Sequence, residues 1–115
     1  MFEVLMMSEI KKAMIDVRQR IKELERRRSE LWATAGGCAA AARTYEQFLA
    51  GERRPARMTL LAAADEGVDL MARYRELYAE RSASAAIAKA QAQCLTVEIY
   101  ALRATVGMGT REVRR

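Results

Sequence analysis

The sequence predicts an all-α protein, an antiparallel two-helix coiled-coil hairpin with two helices of about 45–50 residues each. Three observations predict it. Apolar residues recur at steps of three and four along most of the chain. A single proline, Pro55, interrupts 115 residues. The composition is 51% hydrophobic but only 6% aromatic, with 30% charge, which suits long helices meeting through small side chains.

The first helix is expected over residues 3–50. Its apolar seam runs through Met7, Ile10, Met14, Val17, Ile21 and Leu24, crosses Arg28, and continues through Leu31, Ala35, Cys38, Ala42, Tyr45 and Leu49. A period near 3.5 keeps two helices in contact along their length, and no segment alternates as a strand would. Gly36-Gly37 lies inside this run. Two glycines cost about 2 kcal/mol of helix propensity relative to alanine, but the seam keeps its phase across them. The reading is one helix with a soft spot or bend at that point.

The turn is placed at residues 51–56. Gly51 can take a positive φ at a helix C-terminus, and Pro55 keeps Arg54 out of the α region while fitting the first turn of a new helix. The second helix is expected over 57–107, ended by Gly107 and Gly109, with a frayed tail over 108–115. Its seam runs through Met71, Tyr74, Tyr78, Arg81, Ala85, Ala88, Ala92, Leu95, Ile99, Leu102 and Val106. Leu60, Leu61, Ala64 and Val68 extend it back to the turn, with a small phase adjustment near Gly67. Each helix would be about 70–75 Å long at 1.5 Å per residue. Folding about residue 53 sets 33–43 against 64–74 and 82–92 against 15–25. Such a hairpin buries little area per residue, so self-association or docking on a partner is expected to support it.

The composition bears on function. There is no histidine, so the commonest general base and metal ligand is missing. Cys38 and Cys94 lie too far apart for a zinc motif or a disulfide framework and read as reduced thiols. Cys38 falls on the seam; Cys94, one position before Leu95, is placed near the surface. Glu76, Glu80 and Glu98 are spread along helices with no nucleophile beside them. No phosphate-binding glycine loop is present, so no catalytic, cofactor or metal site is assigned and the chain reads as no enzyme. No apolar run of about 18 residues exists, and the N-terminal residues lack a signal peptide's basic region, so a cytoplasmic protein without membrane insertion is expected.

The net charge of +5 is concentrated at Arg26-Arg27-Arg28, at Arg53, Arg54 and Arg57, and in the C-terminal tail. These charges read either as a solvated helical face or as a surface for acidic partners. The candidate partner-binding residues are Tyr45, Phe48, Arg53, Arg54, Tyr74 and Tyr78. The rings cluster on the half of each helix nearest the turn, where they either pack in the seam or form an aromatic patch flanked by arginine. Trp32, just after seam residue Leu31, would flank the interface or join a second contact surface.

Two resemblances follow from these segments. Tyr45 to Pro55, followed by Leu60 to Ala64 and Gly67 to Leu70, resembles the end of a recognition helix and the next helix of phage-repressor domains. That resemblance implies base contacts by Arg43, Thr44 and Gln47. The architecture, the N-terminal run from Met1 to Leu31 and the stretch Tyr45 to Arg53 resemble the YscO/FliJ stalk proteins of type III secretion and flagellar export. This resemblance spans most of the chain. The sequence departs from the group in its short length, its alanine content and Pro55. It implies a rod that enters a hexameric secretion ATPase, links it to the export gate and handles chaperones. The alternatives are a small repressor-like DNA-binding or regulatory protein, or another helical adaptor.

Overall fold

The computed structural model describes the backbone of residues 2–114 and the side chains of residues 6–107. All regular structure among these residues is helical. Helix α1 spans Phe2–Leu49, α2 spans Arg57–Glu66 and α3 spans Leu70–Arg114. The residues divide into two compact units. Unit 1 holds Met1–Leu31 and Ala90–Arg115, and unit 2 holds Trp32–Lys89.

Helix α1 is continuous through Gly36 and Gly37. A Cβ added at either glycine would meet no heavy atom within 4 Å, so neither serves a close approach. The helix stops at Gly51, whose φ of +75° suits glycine far better than other residues. The Glu52 N–H donates to the Gln47 carbonyl at 3.0 Å and the Gly51 N–H to the Phe48 carbonyl at 3.3 Å. This pair of bonds is a Schellman closure, which satisfies carbonyls that the helix end leaves open.

The same device recurs sixteen residues later and corrects the expected second helix. Gly67 has φ +68°; the Val68 N–H donates to the Ala63 carbonyl at 2.8 Å and the Gly67 N–H to the Ala64 carbonyl at 3.3 Å. The Asp69 carboxylate then accepts the Ala72 N–H at 3.2 Å and caps α3. The span 57–107 is therefore two helices. Gly107 and Gly109 do not end α3, which runs on to Arg114. No positive-φ glycine appears there to close the helix, and a glycine alone is only a weak breaker. Of the predicted tail, 108–115, the side chains and residue 115 lie outside the described residues. Pro55 precedes α2 rather than entering it. Ala56 is extended, with ψ 145°, and its carbonyl accepts the first helical bond, from Leu60, at 3.1 Å.

In unit 1 the core is Ile21, Leu24 and Ile99, with Val17, Leu95, Leu102 and Val106 packed around it. Leu24, Ala92 and Ile99 are fully buried. Arg28, the one break in the first seam, reaches the Thr96 hydroxyl at 3.4 Å, and that hydroxyl donates to the Ala92 carbonyl at 3.1 Å. Arg20 pairs with Glu98 at 3.6 Å, and Arg103 pairs with Glu25. On α1, Arg26 is held between Glu23 at 3.0 Å and Glu30 at 2.7 Å. The hydrogen bond to Glu23, aided by both carboxylates' charge, raises the Arg26 pKa.

In unit 2 the buried residues are Ala35, Ala42, Tyr74 and Ala88. Three are alanines, which let helices approach closely but bury little area each. Helix α2 has no buried residue at all.

The contacts correct the expected facing of segments. Ile21 and Leu24 pack with Leu95, Ile99 and Leu102, not with 82–92. Tyr45 and Phe48 meet Tyr74. Residues 50–69, α2 included, separate α1 from α3 in place of the expected five-residue turn.

Candidate interaction site

Four of the six predicted site residues come together in unit 2. The Phe48 ring stacks on Tyr74, with centroids 4.8 Å apart and planes 14° from parallel. Tyr45 meets the same ring at 5.7 Å and 34°. The Arg53 guanidinium carbon lies 5.9 Å from the Phe48 centroid, within cation–π range. The Schellman closure at Gly51 places Arg53 there, and the Arg53 N–H also donates to the Gln47 carbonyl at 3.3 Å. Tyr74, the shared ring, is only 7% exposed. The triad therefore joins α1 to α3, with Tyr45 and Phe48 half-buried around Tyr74. Arg54 and Tyr78 are exposed and belong to no ring contact of this cluster.

Leu60 and Leu61, expected in the second seam, are instead exposed on α2 beside no buried residue of that helix. Met58 is 77% exposed, Leu61 55% and Leu60 48%. Met58 also lines a shallow groove of about 700 Å³, together with Ala62, Ala63, Val68, Leu70, Glu66 and Arg73 among others. The sequence signal was available. A ten-residue stretch bounded by Pro55 and by Gly67 followed by Asp69 is a separate short helix. Unit 1 has its own exposed apolar residues on α3, Val97 and Tyr100.

The repressor-like reading needs a tight turn ahead of Arg43. Residues 31–43 are instead part of unbroken α1. The Thr44 hydroxyl donates to the Ala40 carbonyl at 3.2 Å and so is occupied along its own helix. Cys38 is half-buried and Cys94 exposed, both as free thiols. Among the described residues no group of three or more His, Cys, Asp or Glu could hold a metal ion, and no helix is long and apolar enough to cross a membrane.

Comparison with protein-family models, with curated proteins and with solved structures finds no match for this chain.

Proposed function

We propose that this chain is a non-enzymatic helical interaction protein whose two long helices pair antiparallel as a coiled-coil hairpin. Its role on this reading is the stalk of a type III secretion export ATPase complex. The observation that carries the proposal is the pairing of α1 with α3 in both units. Leu24 and Ile99 pair in unit 1, and Phe48 and Tyr74 pair in unit 2, with little other core in either. The order of segments supports the antiparallel sense: α1 passes from unit 1 into unit 2, and α3 passes back. Helices braced chiefly on each other leave their outer faces for partners. Arg18 and Arg27 on α1 and Val97 and Tyr100 on α3 are exposed and suit contacts with a ring's acidic and apolar loops. The link to secretion rests on the resemblance to the YscO/FliJ group.

The test is co-purification with a hexameric secretion ATPase from the same genome. Retention of the ATPase on the immobilised chain, lost with Val97→Asp and Tyr100→Asp together, is expected. No retention by the wild-type chain would overturn the stalk reading. Sequence-specific duplex DNA binding that persists as salt rises would replace it with the repressor reading.

A further inference from the structure

Helix α2 has the Schellman closure at Gly67 but few of the other supports that a short helix ordinarily uses. It has ten residues and buries none of them. Isolated helices below about 12–15 residues are marginal in water, so a helix of this length depends on packing. Its N-cap, Ala56, makes no side-chain capping bond. Its charges oppose its dipole, with Arg57 at the N-terminal end and Asp65 and Glu66 at the C-terminal end. Arg54, Arg57, Asp65 and Glu66 enter no ion pair within the described residues. Between these charged ends lie the exposed Met58, Leu60 and Leu61 and the apolar groove.

The exposed apolar residues and the charges set against the dipole are both met by one occupant, a second α2 running the opposite way. We propose that α2 is a self-association surface, and that two copies of the chain pair through it about a two-fold axis. An axis crossing α2 between Leu61 and Ala62 sets Arg54 and Arg57 of one copy beside Asp65 and Glu66 of the other. The arrangement is isologous, so each contact occurs twice. The two antiparallel dipoles place opposite partial charges side by side, and the charges that weaken α2 alone become complementary across the pair. Met58 and Leu61 enter the facing groove. A purely acidic partner would satisfy Arg54 and Arg57 but would face Asp65 and Glu66. An anionic membrane would meet the same repulsion. The surface is small, so the dissociation constant belongs in the range of about 1–100 µM, as for transient complexes. This inference stands apart from the stalk reading.

The experiment is sedimentation equilibrium of the full chain from about 5 to about 500 µM, a range that spans the expected constant. The wild type should pass from monomer to dimer. Leu61→Asp should weaken the dimer at least about tenfold while leaving helix content unchanged, because Leu61 is exposed within one chain. The decisive variants reverse one end each: Arg54→Glu with Arg57→Glu, and Asp65→Arg with Glu66→Arg. Each alone should be monomeric, since like charges then meet across the axis, and an equimolar mixture should form the heterodimer. A wild type that stays monomeric throughout overturns the proposal, whether or not it binds phosphatidylserine vesicles or a polyglutamate peptide. So does a dimer insensitive to Leu61→Asp, or a mixture that fails to restore association.

Discussion

Replacing Leu24 by alanine removes the side chain on which the pairing of α1 with α3 in unit 1 chiefly rests. Leu24 is 0% exposed, and the only other large, fully buried side chain among the described residues is Ile99, in the same cluster. A buried leucine truncated to alanine costs about 2–5 kcal/mol, the transfer of the lost methyl groups plus the cavity left behind. Only two helices enclose this site, so part of the cavity can close, and about 3 kcal/mol is expected. With a urea slope of about 2 kcal/mol/M, the unfolding midpoint should fall by about 1.5 M, read by far-ultraviolet circular dichroism. The control is Val97→Ala on α3, where the side chain is 71% exposed and the change should stay within about 0.5 kcal/mol. Because Leu24 and Ile99 share one cluster, Leu24→Ala and Ile99→Ala should be non-additive by about 1 kcal/mol in a double-mutant cycle. Equal shifts at Leu24 and Val97, or strict additivity with Ile99, would refute the packing described for unit 1.

The glycines give opposite signs. Gly36→Ala should stabilise by up to about 1 kcal/mol, because the residue is helical with open space around it, whereas Gly67→Ala should destabilise by about 1–2 kcal/mol because its φ is +68°. Thermal melts of the two variants check both signs. Tyr74→Ala should cost about 3–5 kcal/mol by removing the ring shared by Tyr45 and Phe48, against less than about 1 kcal/mol for exposed Tyr78→Ala. Asp69→Ala should cost about 1 kcal/mol, measured by urea unfolding, through loss of the cap on α3.

The parts of the fold legible in the sequence are those where packing alone fixes position. Ile21, Leu24, Ala35 and Ala42 on α1, and Ala88, Ala92 and Ile99 on α3, all lie on the seams and are all buried. What was not legible depends on backbone conformation rather than on hydrophobic spacing. Hydrophobic spacing alone makes Gly67 a phase adjustment, whereas its φ of +68° and the Asp69 cap are features of the backbone. Together they stop one helix and start another. That break sets residues 50–69 between α1 and α3, so Tyr45 and Phe48 meet Tyr74. It also changes the start of the second seam, where Leu60, Leu61, Ala64, Val68 and Met71 are exposed and Leu77, rather than Tyr78, is half-buried. Of the four rings expected to cluster, Tyr45, Phe48 and Tyr74 meet, while Tyr78 is exposed and outside these ring contacts. The burial of Tyr74 follows from Phe48 and Tyr74 facing each other across helices, which a five-residue turn does not allow.

The central functional claim is tested most directly by the hydrolysis rate of the hexameric secretion ATPase as this chain is added. The stalk account predicts that the rate rises and saturates, together with the fraction of ATPase in hexamers, and that added duplex DNA leaves the effect unchanged. A rate and hexamer fraction that stay flat through stoichiometric excess of the wild-type chain would contradict it.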